Sequence, residues 1–151
     1  MTQFISYMDV ALEEAERAAL RGEVPVGAVI VSKAGEVIAR AGNRTRELKD
    51  PTAHAEMLAI RSACKALGQE RLTGCDLYVT LEPCAMCATA ISHARIARLY
   101  YGASDPKSGG VGQGARVFDH PQCHHAPEVY DGIAEAECTA PLRDFFYKLR
   151  R

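Results

Sequence analysis

The sequence predicts an α/β fold in which helices cover both faces of a central sheet, as a three-layer α/β/α sandwich. Segments with a helical apolar period alternate along the chain with short apolar segments rich in β-branched residues. Glycine or proline stands at most of the segment ends, where it stops a helix or makes a turn. The length of 151 residues suits one domain that buries roughly two thirds of its unfolded surface. We therefore expect residues 1–151 to form a single domain.

The first part of the chain predicts a helix followed by a β-hairpin. The helix ends at Gly22, and its acidic residues lie on the flank opposite the apolar stripe. The stripe consists of Met8, Ala11, Leu12, Ala15 and Ala19, and the acidic flank of Asp9, Glu13, Glu14 and Glu16. Residues 24–31 form a nearly unbroken apolar segment that suits a buried strand. After a turn at residues 33–35, residues 36–41 return as the second arm of the hairpin.

The remaining elements alternate between helix and strand. In chain order they are a loop over 42–52, a helix over 53–67, a strand over 76–81, a helix over 83–93, a strand over 97–101, a loop over 104–114, a short strand over 128–130 and a helix over 133–148. Pro83 suits the first position of its helix, because its missing N–H has no partner there. The loop over 104–114 is rich in glycine but lacks Gly-Lys-Ser/Thr, which favours a mobile loop over a phosphate cradle.

Composition and charge exclude several classes of protein. The net charge of -1 gives no general attraction to nucleic acid, so an RNA contact requires a local patch. Residues 1–20 lack the cationic start and apolar core of a secretory signal, and no apolar run approaches the roughly 20 residues that span a bilayer. We expect a cytoplasmic protein without membrane partners. In that compartment the six cysteines favour metal binding over a disulfide framework.

Two motifs supply three ligands for one zinc ion. His54-x-Glu56 offers an imidazole, and Pro83-Cys84-x-x-Cys87 offers two thiolates that share one helix face at i and i+3. Each motif begins a predicted helix, and the positive end of a helix dipole favours the thiolate, which is the form that binds metal. A structural zinc site is closed by four protein ligands, whereas a catalytic site leaves the fourth position to water. Three ligands therefore predict a catalytic zinc site.

Glu56 is predicted to be the proton shuttle of this site. It lies two residues after the ligand His54 and leaves the helix on another side, where it can carry protons instead of binding the metal. Zinc lowers the pKa of water from about 16 to about 7, which supplies hydroxide at neutral pH. Glu56 could take a proton from that water and deliver it to a leaving amine.

The cysteines and histidines also allow other interpretations. A redox pair also has the spacing Cys-x-x-Cys, but the thioredoxin-like context is missing. A structural zinc site needs a fourth ligand, for which the candidate donors are Cys64, Cys75, His93 and Cys123. The order His-x-Glu, then Pro-Cys-x-x-Cys, favours catalysis. The histidines outside the motifs are interpreted as surface or packing residues, and the cysteines outside them as small buried hydrophobes. These are His93, His120, His124 and His125, and Cys64, Cys75, Cys123 and Cys138.

The two motifs resemble the signature of zinc-dependent cytidine and deoxycytidylate deaminase-like enzymes. Over about residues 4–150 the chain is similar to the bacterial tRNA-specific adenosine deaminases. The segments that carry the similarity are Val24-Pro25-Val26-Gly27-Ala28-Val29, Gly42-Asn43-Arg44, Asp50-Pro51-Thr52-Ala53-His54-Ala55-Glu56, Leu77-Tyr78-Val79-Thr80-Leu81-Glu82-Pro83-Cys84, Tyr101-Gly102-Ala103 and Asp144-Phe145-Phe146. The resemblance implies a cytidine deaminase-like fold with a central mixed sheet of about five strands.

The resemblance also implies an activity, partners and substrate-binding residues. The implied activity is zinc-dependent hydrolytic deamination of adenosine to inosine at the wobble position (34) of a tRNA anticodon. The implied assembly is a homodimer with one zinc ion per subunit, bound by His54, Cys84 and Cys87, with Glu56 as the catalytic proton shuttle. Asn43 would hydrogen-bond the purine. The full set that the resemblance places at the substrate is Asn43, Pro25, Val26, Ala55, Leu81, Arg44, Asp105 and Lys107.

Some residues allow a plainer interpretation than the resemblance implies. Asn43 could be only a turn former after Gly42, and Arg44 only a solvated loop charge. The basic C-terminal cluster could contact RNA or merely complete a helix dipole. It consists of Arg143, Lys148, Arg150 and Arg151. Pro141 lies inside the last predicted helix and predicts a kink there, or a restart of the helix at that residue.

Two other functions compete with deamination of tRNA. The same zinc site serves free-base and nucleoside deaminases acting on guanine, cytosine or cytidine. Such enzymes have no need of the basic C terminus or of the loop around Asp105 and Lys107. The third function is that of a non-catalytic, zinc-stabilised RNA-binding module. Glu56 argues against it, because a structural site has no use for an unliganded carboxylate beside the metal.

Overall fold

The computed structural model describes residues 6–149 and contains a five-stranded mixed sheet. In chain order the elements are α1 Met8–Leu20, β1 Gly27–Val31, β2 Val37–Gly42, α2 Thr45–Leu48, α3 Ala55–Leu67, β3 Asp76–Leu81, α4 Ala85–Ala94, β4 Arg98–Ala103, a 3-10 turn Val117–Asp119, β5 Glu128–Tyr130 and α5 Glu135–Leu149. The strand order is β2-β1-β3-β4-β5. The pairs β1–β2 and β1–β3 are antiparallel, and β3–β4 and β4–β5 are parallel. The predicted mixed sheet of about five strands is confirmed.

Helices cover the sheet as the sequence predicts. Helices α1 and α5 pack on each other and on the sheet, whereas α3 packs on β1 and β2 and also contacts α4. Every residue of β1 is buried, as expected of a central strand between two helical layers. A side chain at Gly27 would collide with the carbonyl of Ala11, so the glycine lets α1 lie directly on the strand. Among residues 6–149, none of the helices has the length and apolar character required to cross a bilayer.

The buried face of α1 differs from the predicted stripe. The helix buries Ala18, whereas Ala19 is exposed and Leu12 only half-buried. Glu14, which was assigned to the acidic flank, is buried because its carboxylate accepts hydrogen bonds of 2.7 Å from both Arg17 and Arg40. A carboxylate can be buried when cations satisfy it in this way. Arg40, the partner on β2, is 26 residues away in the sequence, so the local pattern of α1 could not indicate this contact.

Two boundaries in the first half also differ from the prediction. The first strand begins at Gly27 instead of residue 24, because the N–H of Val26 donates to the carbonyl of Val24 in a tight turn. The region 42–52, predicted as a loop, contains the one-turn helix α2. The buried carboxylate of Glu23 accepts the N–H groups of Arg46 at 3.1 Å and Glu47 at 2.8 Å, which stabilises that turn.

The last helix is continuous through Pro141. The predicted restart at that residue is wrong, since α5 runs from Glu135 to Leu149 with the proline inside it. Cys138 and Leu142 lie on either side of Pro141 and are buried, so packing holds both halves of the helix on the domain. That burial offsets the loss of one backbone hydrogen bond. Of the predicted basic cluster, Arg150 and Arg151 lie outside the described residues.

Candidate active site

The three predicted zinc ligands meet where two helices begin. His54 is the N-cap of α3, Cys84 is the N-cap of α4, and Cys87 lies in the first turn of α4. Both helices begin two residues later than predicted, at Ala55 and Ala85. The N-cap position places each side chain beside free backbone N–H groups and the positive end of the helix dipole.

The strands that precede these helices are not neighbours in the sheet. Strand β1 lies between β2, which precedes α3, and β3, which precedes α4. The segment 43–54 crosses this gap. Its ends are tied by two backbone hydrogen bonds, from Asn43 N–H to the carbonyl of Val26 and from Arg44 N–H to the carbonyl of Ala53. The ligands meet through this crossing segment, not through adjacent strands.

The distances among the three ligand atoms fit a zinc ion. The Nδ1 atom of His54 lies 3.6 Å from Sγ of Cys84 and 3.5 Å from Sγ of Cys87. Ligands at about 2.05 Å (nitrogen) and about 2.3 Å (sulfur) from zinc, at the tetrahedral angle, lie about 3.6 Å apart. The three atoms can therefore bind one ion without rearrangement of the backbone.

Hydrogen bonds inside the cluster prepare Cys84 to be a thiolate. The hydrogen bond from Cys87, opposed by burial and assisted by His54, lowers the pKa of the Cys84 thiol to about 4. The same bond, together with burial, raises the pKa of Cys87, which stays a thiol in the absence of metal. The hydrogen bond to Cys84 also raises the pKa of His54 against the effect of burial. Metal binding must therefore displace protons chiefly from Cys87 and His54.

This protonation pattern predicts that zinc affinity increases with pH. Cys84 is already ionised at neutral pH, whereas Cys87 must lose its proton, so we expect the apparent association constant to rise roughly tenfold per pH unit between pH 7 and 8. The His54 proton steepens the dependence further at lower pH, because the pKa of the imidazole is also raised. Competition with a chelator at several pH values, corrected for the chelator's own protonation, measures this slope. A pH-independent association constant would contradict the assignment of the ligands.

Within residues 6–149, these three residues form the one group of His, Cys, Asp and Glu with metal-binding geometry. The candidate fourth ligands do not join it. Cys64 donates to the carbonyl of Glu70, and Cys123 lies against the carbonyl of His125 and the hydroxyl of Ser92. The remaining candidates, Cys75 and His93, are likewise outside the group. The described part of the chain thus supplies three ligands, as a catalytic zinc site requires.

Glu56 is buried beside this cluster. Glu56 is 4% exposed, and this burial raises the pKa of its carboxyl group to about 7. It lines a cavity of about 210 Å³ together with His54 and Cys84. A carboxyl group whose pKa lies near neutrality can both accept and return a proton at physiological pH. The geometry thus permits the proton shuttle that the sequence predicts.

The cavity contains most of the predicted substrate residues. Its lining consists of Val24, Val26, Asn43, Thr45, His54, Ala55, Glu56, Leu81, Glu82, Cys84, Asp105 and Ser108. Three predicted residues lie elsewhere. Pro25 is buried next to the cavity, and the Arg44 guanidinium pairs with Glu47 at 2.6 Å. Lys107 lines a neighbouring groove of about 440 Å³ with Arg143 and Phe146.

The Asn43 amide has a defined orientation in the cavity wall. Its Nδ2 atom donates to the carboxylate of Glu23 at 3.4 Å and to the hydroxyl of Thr45 at 3.3 Å. The opposite orientation would place the amide oxygen against that carboxylate, which is acceptor-only when ionised. Since both amide hydrogens are used within the protein, the oxygen is the atom left to accept a hydrogen bond from a ligand.

Sequence reasoning missed four residues of the cavity wall, namely Val24, Thr45, Glu82 and Ser108. Each lies within three residues of one that was predicted, so proximity along the chain was the available signal. Burial alone would raise the pKa of Glu82, but hydrogen bonds from the backbone of Asp105, Gln113 and Val111 and the hydroxyl of Ser104 hold it below its usual range. Two buried carboxylates therefore line the cavity with opposite pKa shifts, because hydrogen bonds lower the pKa of Glu82 and burial raises that of Glu56.

Comparison with known proteins identifies the family. The family model described as the cytidine and deoxycytidylate deaminase zinc-binding region matches residues 1–103. A tRNA-specific adenosine deaminase of Agrobacterium fabrum is 63% identical over 150 residues, covering 99% of this chain and 98% of that protein. This chain belongs to the tRNA-specific adenosine deaminases of that zinc-binding family. The cofactor of the family is zinc, and the cluster of His54, Cys84 and Cys87 is a potential site for it.

Solved structures of the family confirm the cytidine deaminase-like fold. A structure from work on A-to-I editing by tRNA:A34 deaminases at the wobble position of transfer RNA matches with a TM-score of 0.88 and 65% identity, covering 90% of this chain and 98% of that one. A guanine deaminase from Bacillus subtilis matches with a TM-score of 0.65 and 32% identity over 95% of both chains. The fold is thus shared with a free-base deaminase, but sequence identity to the structure from the work on tRNA:A34 deaminases, 65%, is about twice the 32% to the guanine deaminase.

Proposed function

We propose that this protein catalyses the zinc-dependent hydrolytic deamination of adenosine to inosine at the wobble position (34) of a tRNA anticodon. The observation that carries the proposal is the cavity beside the metal cluster, which is lined by the ligands His54 and Cys84 together with Glu56 and Asn43. A three-ligand zinc site with an adjacent carboxylate suits hydrolysis of an amino-heterocycle. The substrate follows from 63% identity over nearly the full length of a tRNA-specific adenosine deaminase.

The residues of the cavity divide the chemistry among them. His54, Cys84 and Cys87 would hold the zinc ion, which would supply hydroxide at neutral pH by lowering the pKa of water from about 16 to about 7. Oxygen from water bonds to C6 of adenine, the C6–N6 bond breaks, and the products are inosine and ammonia. Glu56 takes one proton of the attacking water and gives it to the ring nitrogen N1, and it then carries the second proton, from the new hydroxyl on C6, to the departing amine.

Other residues hold the nucleoside and the RNA around it. The Asn43 oxygen accepts a hydrogen bond from the nucleoside, Val26 and Leu81 pack on the base, and the N–H of Ala55 orients the reacting group. The neighbouring groove shares Leu81, Asp105 and Ser108 with the cavity. Its Lys107 and Arg143 suit phosphates, and its Phe146, 44% exposed, suits a stacked base. An extruded anticodon base is a low-cost substrate because it is already unpaired.

The decisive experiment offers zinc-loaded protein a panel of substrates. The panel contains an anticodon stem-loop with adenosine at position 34, the same stem-loop with guanosine there, free adenosine, guanine and cytidine. We expect inosine from the adenosine stem-loop and a much smaller kcat/KM on every free base or nucleoside. Turnover of guanine or cytidine without turnover of the stem-loop would overturn the substrate assignment. No turnover at all with full zinc loading would support the non-catalytic binding module.

Replacement of Asn43 by alanine tests the proposed hydrogen bond between this side chain and the nucleoside. We expect kcat/KM on the stem-loop to fall roughly 5- to 150-fold, since a good hydrogen-bonded base contact contributes about 1–3 kcal/mol. Zinc content should not change, because Asn43 is not a ligand. The matched control is Leu48→Ala, which truncates an exposed side chain on the same segment. Equal kcat/KM for Asn43→Ala and the control would show that Asn43 only shapes the turn.

We further propose a single-domain homodimer in the cytoplasm, with one zinc ion per subunit. Near full-length similarity to a tRNA-specific adenosine deaminase supports one domain over residues 1–151, and the dimer is what the family resemblance implies. All six cysteines are unpaired, which supports a reducing compartment. Light scattering across a dilution series measures the assembly in solution, and a monomer at all concentrations would contradict the dimer.

A further inference from the structure

The buried carboxylate of Glu82 stands at the centre of the loop over 104–114. Glu82 follows β3 and directly precedes Pro83 and the ligand Cys84. It is 2% exposed, so nearly all of its polar surface must find partners within the protein. Those partners come from residues 22 to 31 positions further along the chain.

Five hydrogen bonds from the loop converge on this carboxylate. Oε1 accepts the hydroxyl of Ser104 at 3.2 Å and the N–H of Asp105 at 3.0 Å. Oε2 accepts three successive N–H groups at 3.0–3.1 Å, from Val111, Gly112 and Gln113. Both ends of the loop are thus attached to one side chain. Hydrogen bonds to an ionised acceptor are stronger than neutral ones, so this attachment is the main polar support of the loop.

The loop also approaches the start of α4 closely. The N–H of Gly110 donates to the carbonyl of Pro83 at 2.8 Å. A Cβ atom at Gly110 would lie 2.5 Å from the backbone nitrogen of Ala85, and one at Gly109 would lie 2.5 Å from Oε2 of Glu82. Glycine at both positions lets the loop close over the carboxylate and the helix N-terminus. The same loop then presents Asp105 and Ser108 to the cavity.

We propose that Glu82 is the positioning residue that holds the loop over 104–114 against the active site and so sets how the substrate is bound. The proposal rests on the proposed function for its kinetic part. Glu82 acts through Asp105 and Ser108, which line both the cavity and the neighbouring groove. With five donors on its two oxygens, it has no capacity left to bind metal or to carry protons, although it lines the same cavity as Glu56.

The variant Glu82→Gln tests this role with little change of shape. Its amide nitrogen must face at least one backbone N–H that now has no acceptor, since each carboxylate oxygen accepts a backbone N–H. We expect kcat/KM on the stem-loop to fall roughly 100-fold, as for displaced substrate-positioning groups in other enzymes. Most of the loss should be a higher KM, because the zinc ligands and Glu56 stay in place. Zinc content should remain one ion per subunit.

Hydrogen exchange supplies a readout that does not depend on activity. In the unmodified protein the amides of Asp105, Val111, Gly112 and Gln113 are expected to be protected, because each donates to Glu82. In Glu82→Gln the peptide covering 104–114 should exchange at least tenfold faster, whereas peptides from β1 and β3 should not change. The matched control is Glu14→Gln, which removes another buried carboxylate, on α1, without touching the loop.

A second variant keeps the proposal testable if Glu82→Gln fails to fold. Gly109→Ala leaves the carboxylate intact but inserts a methyl group between it and the loop. We expect the same rise in KM and the same fast exchange, and no further loss when both substitutions are combined. If either variant keeps the KM and loop protection of the unmodified protein, the positioning role is refuted. If loop exchange responds but no protein makes inosine, the proposed function fails and the structural role of Glu82 stands.

Discussion

Replacement of Glu56 by glutamine is expected to lower kcat for inosine formation by at least about 1,000-fold while zinc stays bound. Glutamine fills the same volume but can neither take a proton from water nor return it to the amine. Substrate binding should change little, because glutamine keeps the size of the side chain in the cavity and Glu56 does not line the neighbouring groove. Single-turnover kinetics on the stem-loop, with zinc measured in the same samples, separates this chemical defect from loss of metal.

Glu56→Gln is also expected to leave the metal-free protein at least as stable as the unmodified one at pH 8. Burial raises the pKa of Glu56 to about 7 in the metal-free protein, well above that of an unfolded glutamate. The ionised carboxylate therefore opposes folding, and this opposition grows as the pH rises from about 4.5 to 7 and is fully present above 7. Metal-free Glu56→Gln should accordingly melt no lower than the unmodified protein at pH 8. A zinc-loaded Glu56→Gln that keeps its kcat would refute the shuttle role.

Replacement of Cys87 by alanine is expected to remove both the metal and the activity. Cys87 is fully buried and lies 3.5 Å from the His54 nitrogen, so no other side chain can take its place. A bound ion at 1,000 times its dissociation constant stabilises a protein by about 4 kcal/mol. For a domain of this size, its loss should lower the melting temperature by roughly 10 °C. Metal analysis and thermal denaturation, with and without added zinc, measure both effects.

The control for this substitution is another cysteine. Cys64→Ala removes a half-buried thiol that lies outside the metal cluster and donates to the carbonyl of Glu70. It should retain zinc and activity. The structural-zinc interpretation makes the opposite prediction for function, because Cys87→Ala would then lose stability without any inosine formation to lose. Full zinc content in Cys87→Ala would contradict the ligand assignment outright.

The metal ligands could be predicted from spacing because they depend on local geometry. Residues at i and i+3, such as Cys84 and Cys87, lie on the same side of a helix whatever surrounds it. In the same way, Gly68 ends its helix with a positive φ of 65°, which depends on the residue type and not on the tertiary contacts. The helix starts were wrong by two residues, since His54 and Cys84 are N-caps instead of members of the first turn. That error matters for the chemistry, because an N-cap side chain stands beside unpaired N–H groups.

The buried carboxylates could not be placed from the sequence. In the sequence, Glu14 resembles a surface residue on the flank of a helix, and Glu23 and Glu82 resemble surface residues after a helix and after a strand. Each is buried by partners more than twenty residues away, namely Arg40, the start of α2 and the loop over 104–114. Local periodicity reports which face of an element is apolar, and it carries no information about a cation or an N–H group that folding brings from elsewhere.

By itself, the sequence determined the α/β class, the order of its elements, three ligands for one zinc ion and a carboxylate beside them. These follow from periodicity and short spacings, which the backbone geometry converts directly into structure. Only the tertiary structure decided that strand β1 separates the two ligand-bearing segments and that the segment 43–54 closes the gap. It also decided that five hydrogen bonds saturate Glu82, whereas burial raises the pKa of Glu56 to about 7. The physical reason is that the state of a buried carboxylate depends on the hydrogen-bond donors around it, and those donors come from distant parts of the chain.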